Sequence, residues 1–517
     1  MRRVLPLLFV LAAAAALLSM ARFAWPFTMD DSFITFRYAA NLAAGFGPTW
    51  NPGLPPAEGY TTFLWVAVMA LPHALHLDAE VFAKVAGLAI TLATMGVVYL
   101  FVYRLTSAQP VGRRHLAAAA GAAMLGCHYG AALHAVSGME TALATFLLTA
   151  FLCLTVAVAE RPSRSRIALL TVTGLLLGLT RPEANLLVGV GLLALLVVLP
   201  RERRLGLVAA AAALYAVPYA AYFAWRLAYY GHLFPLPFYT KIAATRSFAG
   251  TLLGLISTGQ FLHFVALRTC VLPLLGLLVC DRRLVPALVA VGSLFVFYFF
   301  PVHMMNFAWR FLHPTLPFLF VLSASGLAAL IGWVESRAER LTVPRRLLVA
   351  ALYLVVPVAF VLDAPPQLER IVGDLHKQRP AHVILGQKLA AFDRSPREHV
   401  VAMADAGALP YFSGWRAIDT FSLNDPNIAI HRNYDPQYVL SHKPDLLVLV
   451  STSADQFKMK WYLFPWEDGL YRAAEAQGYA RVQRLTVGAN YYLWLLARPE
   501  SAIAAYLRAW NPPPPPD

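Results

Sequence analysis

The chain of 517 residues is 59% hydrophobic and only 14% charged, against about 25% charged in a soluble domain, which excludes a wholly soluble protein. The net charge of +14 reads as the arginine excess of loops retained on one side of a membrane, so no nucleic-acid partner is expected. Cys127, Cys153, Cys270 and Cys280 lie in or beside apolar runs without metal-ligand spacing, which excludes a disulfide framework or a thiolate metal centre.

A bilayer core needs about 20 apolar residues per helix, and only helices or closed barrels can cross it. The Leu/Ala/Val-rich runs lack strict alternation, so helices are expected. They fall at 4–24, 80–104, 115–135, 139–159, 167–180, 185–200, 205–228, 262–280, 284–301, 311–333 and 347–363, about eleven spans. Met1-Arg2-Arg3 before the first run resembles a signal peptide, but Ser19-Met20-Ala21 is a poor cleavage site, and an uncleaved span is expected. The apolar stretch 61–77 is assigned to the interface. Counting it as a span would move Arg113, Arg114, Arg161, Arg164, Arg166, Arg201, Arg203, Arg204 and the later loop arginines to the outer side. The break at Thr180-Arg181-Pro182 leaves a re-entrant pair over 167–200 as an alternative. The expected architecture is a polytopic α-helical membrane domain over residues 1–363, with an outward loop at 25–79, followed by an outward α/β domain over 364–517. Strands are expected at 399–403, 446–450 and 490–496.

With that topology, the outward ends collect Asp30, Asp31, Arg37, Glu58, Glu140, Arg181, Glu183, Lys241, His303 and Arg310. Ionisable groups near lipid are expensive and persist mainly where they work or pair. Asp30-Asp31 opens a short helix reaching Ala44, and one carboxylate could be a simple cap; a cap, however, needs only one of them. A carboxylate here can remove the proton of an acceptor hydroxyl. A leaving phosphate requires cations, for which Lys241 and Arg310 are the candidates. Each has an alternative reading as an interfacial cation snorkelling beside aromatic residues. Arg181 and Glu183 either pair across the helix break or contact substrate, and His303 reads as a packing residue. No His/Asp/Glu set has metal spacing, so neither metal nor cofactor is expected.

The motifs Asp30-Asp31-Ser32-Phe33-Ile34-Thr35-Phe36-Arg37-Tyr38, Gly45-Phe46-Gly47, Asn51-Pro52-Gly53 and Glu58-Gly59-Tyr60-Thr61-Thr62-Phe63-Leu64-Trp65 resemble the opening of a bacterial family of C-fold (GT-C) glycosyltransferases. That family includes the terminal arabinofuranosyltransferases of the mycobacterial cell wall. Ser137-Gly138-Met139-Glu140-Thr141, Thr180-Arg181-Pro182-Glu183, Arg310-Phe311-Leu312-His313-Pro314, Asp405-Ala406-Gly407-Ala408 and the stretch from Asp419 to Asp425 follow in order. The resemblance implies an inverting membrane glycosyltransferase of the bacterial inner membrane with its site on the periplasmic face. It further implies a polyprenyl-phosphate sugar donor, arabinofuranose as the sugar, a cell-envelope glycan or glycoconjugate as acceptor, and a groove for membrane lipid. Asp30 and Asp31 would be catalytic. Arg37, Glu58, Tyr60, Glu140, Arg181, Glu183, Tyr239, Lys241 and Arg310 would bind substrate. Where the family often reads Pro-Asn-Thr-Phe-Tyr-x-Lys, this chain has Pro235-Leu236-Pro237-Phe238-Tyr239-Thr240-Lys241, keeping Tyr and Lys but losing two polar positions. The competing reading is a transporter or flippase of lipid-linked sugars. It would place charges near the midplane and show repeat symmetry, and neither is visible in the sequence.

Overall fold

The computed structural model of the chain describes residues 4–245, 248–269, 271–278, 280–301, 303, 305–337, 345–376, 379–459 and 466–513. Two compact units share them. The first gathers Met1–Pro26, Glu80–Trp225 and Ala244–Ile371, the second Phe27–Ala79, Arg226–Ala243 and Val372–Asp517.

The regular elements of the first unit, among the described residues, are helices. Among the described residues, six helices are long and apolar enough to cross a membrane: Val4–Phe23, Ala79–Leu105, Thr141–Glu160, Arg201–Tyr230, His313–Val334 and Ala351–Gly373. Val111–Gly126 and Tyr129–Val136, bent by 56°, make a seventh if taken as one span. Several expected spans are present as shorter helices. Arg164–Thr180 and Ala184–Val198 are 17 and 15 residues long, parted at Arg181-Pro182, and Val285–Tyr298 has 14 residues. The expected span 262–280 is instead divided between Phe248–Arg268 and Leu272–Leu278, with Val271 at a positive φ of 54° between them. Leu272–Leu278 lies against Leu316–Arg337, where Gly276 and Gly326 meet the partner helix's backbone so closely that a Cβ would sit 2.3 and 2.6 Å away. Small residues are how helices in lipid approach closely, since water there supplies no hydrophobic drive. The last helix, Arg345–His376, runs well past the expected end at 363. Cys127, Cys153 and Cys280 are unbridged; Cys270 lies outside the described residues.

The second unit centres on a five-stranded sheet: β1 (Val400–Met403), β2 (Arg416–Asp419), β3 (Leu446–Ser451), β4 (Ala480–Gly488) and β5 (Tyr491–Ala497), in the order β2-β1-β3-β5-β4. The pairs β1–β2 and β1–β3 are parallel, while β3–β5 and β4–β5 are antiparallel. All six residues of β3 are buried, the continuous apolar run expected of a central strand. Ala402, Leu447, Leu449, Leu470, Trp494 and Leu496 form its core. β1, β3 and β5 match the expected strands. The other two carry weaker marks in the sequence: β2 has only four residues, and the apolar positions of β4 are separated by Arg481, Gln483 and Arg484.

Because β2 and β3 flank β1, the connections leaving the carboxyl ends of the parallel strands diverge there, and such switch points are where open α/β sheets receive ligands. In this chain they receive the segment 27–79. The helix Asp30–Ala43 packs on Ala408–Ser413, which follows β1. Phe33 packs at a tilt against Tyr411 and Phe412 with ring centroids 5.4 and 5.3 Å apart. Phe63–Ala74, inside the stretch assigned to the interface, has 12 residues and rises about 18 Å, well short of a ~30 Å hydrocarbon core.

Candidate active site

Met29, with extended backbone, takes the N-cap position of Asp30–Ala43 and gives no side-chain cap bond, so Asp30 and Asp31 both lie inside the first turn. Neither carboxylate is therefore the cap, although both suit the positive end of the helix. Asp30 Oδ1 accepts the Ala408 N–H at 2.9 Å. Its other oxygen lies over Gly407, where a Cβ would be 2.1 Å from Oδ2. Burial pushes the Asp30 carboxyl up to about 6; the His382 charge opposes this, Asp405 adds to it, the Ala408 bond opposes it, and Asp31 adds to it. A carboxylate in that range can accept a proton near neutral pH. Asp31 is half-buried.

The other candidates in this unit form a clamp. Arg37 donates from Nε to Trp50 O at 2.9 Å and from Nη2 to Asn51 Oδ1 and Trp415 O at 3.1 and 2.8 Å; Nη1 donates to Pro410 O. Burial lowers it to about 10, so it stays charged while its donors are spent on protein oxygens. Tyr38 donates to Ala57 O and faces Asn424 Oδ1 at 3.1 Å, while accepting the Gly59 N–H at 2.8 Å. Asn424 is in turn held by Asp419 Oδ2. Burial pushes Asp419 up to about 7.

Glu58 is 1% exposed and meets Arg226 twice, at 2.9 Å through Nε and 2.7 Å through Nη2. Burial raises the Glu58 carboxyl, and Arg226 pulls it back. Tyr60 is buried, its hydroxyl 2.9 Å from that of Tyr230, which donates to Pro48 O. Tyr239 is half-buried and its hydroxyl accepts the Phe234 N–H. Lys241 falls in the helix Leu236–Thr245, and its side chain lies outside the described residues.

In the first unit, four candidates converge from separate helix ends. Arg181 Nη2 binds Glu140 Oε1 at 2.9 Å, and Nη1 approaches Glu183 Oε1 at 3.4 Å. Arg310 Nη2 stands 3.8 Å from the same Glu140 oxygen. The Tyr298 hydroxyl donates to Glu183 at 2.6 Å. Glu140, Arg181 and Arg310 are at most 9% exposed. The nearer partner of Arg181 is thus Glu140, 41 residues away in sequence, rather than Glu183 beside it. Arg310 lies 5.5 Å from the Phe311 ring. His303 packs between Tyr298 and Phe311 and bonds the Tyr298 carbonyl.

Sequence reasoning does not single out His382, Tyr491, Arg226 or Asn424. His382 Nε2 is 2.8 Å from Asp405 Oδ2, and the Tyr491 hydroxyl donates to the same oxygen at 2.5 Å. An acidic residue followed by glycine just after a strand is the visible signal at Asp405-Ala406-Gly407; His382 and Tyr491 carry none. Among the described residues, no group of three or more His, Cys, Asp or Glu is placed to hold a metal ion.

Residues 374–501 match the model of a family described as Domain of unknown function (DUF8728). No curated protein sequence matches. Among solved structures, the chain is similar to ArnT from Cupriavidus metallidurans in the apo state, at 14% identity and a TM-score of 0.59, over 95% of this chain and 97% of that one. It is similar over the same shares to ArnT bound to undecaprenyl phosphate, at 14% identity and TM-score 0.56. It also resembles the oligosaccharyltransferase AglB from Archaeoglobus fulgidus in complex with an inhibitory peptide and a dolichol-phosphate, at 11% identity and TM-score 0.57, over 95% of this chain and 74% of that one. The fold is the GT-C fold, a multi-pass helical membrane architecture followed by a small sheet domain.

Proposed function

We propose that the chain is an inverting glycosyltransferase that moves a sugar from a polyprenyl-phosphate donor to a cell-envelope glycan or glycoconjugate on the periplasmic face. The observation that carries this reading is Asp30: a half-buried carboxyl in the opening turn of a helix, not used as its cap, and pushed up to about 6. The donor class is supported by likeness in fold to ArnT bound to undecaprenyl phosphate and AglB bound to a dolichol-phosphate. In the step proposed, Asp30 takes the acceptor hydroxyl proton as that oxygen bonds to the anomeric carbon. The bond from that carbon to the phosphate oxygen breaks, and its electron pair leaves with the polyprenyl phosphate. Asp31 adds a second carboxylate that favours proton uptake by Asp30.

Arg310 and Lys241 are assigned to the donor phosphate, where negative charge grows as the bond breaks. Glu140 stands 3.8 Å from Arg310 and is shared with Arg181, which also approaches Glu183; Tyr239 is assigned to the same substrate. Arg37, Glu58 and Tyr60 act by shaping the segment that carries the base, since their polar atoms are engaged by protein. Arabinofuranose is the sugar proposed, on the opening motif alone. Purified protein incubated with a panel of polyprenyl-phosphate sugars should consume one of them, and Asp30→Asn should abolish that consumption. Consumption of none, or full turnover by Asp30→Asn, overturns the reading.

A further inference from the structure

We propose that His382, Asp405 and Tyr491 form a positioning triad that holds the loop 405–408 against Asp30, so that the domain over residues 374–501 completes the setting of the base. The inference rests on the reading of Asp30 as base, and it gives this domain a part in catalysis.

The geometry runs through one short loop. Asp405 Oδ2 accepts from both Tyr491, at 2.5 Å, and His382, at 2.8 Å. A carboxylate only accepts, so His382 Nε2 carries a proton and donates it to Asp405. Two donors on one oxygen, from the helix Arg379–Ala390 and from β5, fix the side chain that begins the loop. Three residues on, Ala408 donates to Asp30, and Gly407 leaves the space that the Asp30 carboxylate fills. A Cβ at Gly407 would stand 2.1 Å from Asp30 Oδ2, so the absence of that atom is what Asp30 requires. Asp30 is thus oriented by a backbone N–H whose position depends on Asp405, and Asp405 by two buried donors. Charge-assisted hydrogen bonds of this kind are about twice as strong as neutral ones.

The charges around Asp30 fit a tuned base. His382 favours its ionised form, while Asp405 and, on its own helix, Asp31 favour the protonated one. Tyr491 faces the same cluster, and Glu467, whose Oε2 accepts the Val450 N–H, faces Asp405 from the next helix. The His382–Asp405 pair supplies both signs, so neither proton uptake nor proton release by Asp30 is locked out.

The test uses the full-length protein in detergent or nanodisc, with the donor consumed in the panel above. Asp405→Asn and Gly407→Ala should lower kcat at least tenfold. His382→Ala should do the same, whereas His382→Gln, which keeps an N–H donor, should retain most of kcat. Both His382 variants lose the cation, so the acid limb of kcat/KM should move to higher pH in each. A second readout needs no substrate: hydrogen exchange over 404–408 and over the first turn of Asp30–Ala43 should quicken together in Asp405→Asn. If Asp30→Asn is inactive while the Gly407 and His382 variants show wild-type kcat, an unmoved acid limb and unchanged exchange, the triad is overturned and the base reading stands. If Asp30→Asn turns over normally, the base reading itself fails. Should His382→Ala not fold, His382→Gln alone carries the acid-limb test, and an unmoved limb in it refutes the inference.

Discussion

Asp30 stands in the folded chain with its carboxyl raised from 3.8 to about 6, and two consequences differ in sign. As a base it must be ionised, so kcat/KM should rise with pH through about 6 and level off above. Asp30→Asn should lose about 10²–10⁴ in rate. For stability, the folded chain binds this proton more tightly than the unfolded chain does. The contribution is therefore fully present below about pH 4 and is lost as the pH rises to about 6. A shift of this size corresponds to up to ~3 kcal/mol. Asn mimics the protonated acid and can still accept from Ala408. The inactive Asp30→Asn protein should therefore melt higher than the wild type at pH 7.5 and nearly level with it at pH 4. Equal melting at both values would show that Asp30 is not held in a strained ionisation state. Also at this scale, Arg310 grips an anion through a planar fork and Lys241 as a point charge. Arg310→Lys should reduce turnover, and Lys241→Ala should raise the KM for donor more than for acceptor. Normal donor dependence in Lys241→Ala and Arg310→Gln would identify both as headgroup anchors.

At the scale of elements, the segment 27–79 buries a large apolar face, including Phe27, Phe33, Phe36, Trp50 and Trp65, and a few buried polar ties fix its register. Glu58–Arg226 is the buried ion pair among them. Breaking a buried pair from one side costs about 3–5 kcal/mol because the other charge stays behind. Glu58→Gln and Arg226→Met should each lower the unfolding midpoint markedly, while the double change Glu58→Leu/Arg226→Met should cost less than the sum. Strict additivity in thermal scans would mean the two side chains do not act as a pair. Gly59 shows the same dependence on close approach: a Cβ there would lie 1.7 Å from Asn424 Oδ1 and 2.8 Å from the Leu423 carbonyl. Gly59→Ala should therefore separate the segment from the loop after β2 and destabilise the protein. The exposed helical Gly206, where a Cβ would meet no atom within 4 Å, should tolerate alanine.

For the whole molecule, the arginine distribution decides the proposed orientation. Phe63–Ala74 is too short to cross, so the arginine-bearing loops keep one side under the positive-inside bias. Cysteines placed at the exposed Phe46 and Leu54 of the segment 27–79 should react with an impermeant reagent in intact cells. Those placed at Arg113 and Arg203 should react only after lysis. Labelling of Arg113→Cys before lysis would reverse the orientation.

The membrane class, most helices, the central strands and the Asp30-Asp31 turn were legible because each is written locally, as apolar length, alternation or two adjacent acids. Span lengths were less legible, since a break such as that before Leu272 depends on what the neighbouring helix allows. The partners of the charges were not legible at all. Arg37 is assigned to substrate by the resemblance, yet two of its bonds end on Pro410 and Trp415, more than 370 residues on. Glu58 finds Arg226, and Arg181 prefers Glu140 to its neighbour Glu183. Buried charges must find partners wherever the chain brings them, and that distance carries no local pattern. Sequence alone therefore determined that the chain is a membrane protein with acids poised after its first span. Only the tertiary structure decided which acid is held at a backbone N–H, and that His382, Asp405 and Tyr491 stand behind it.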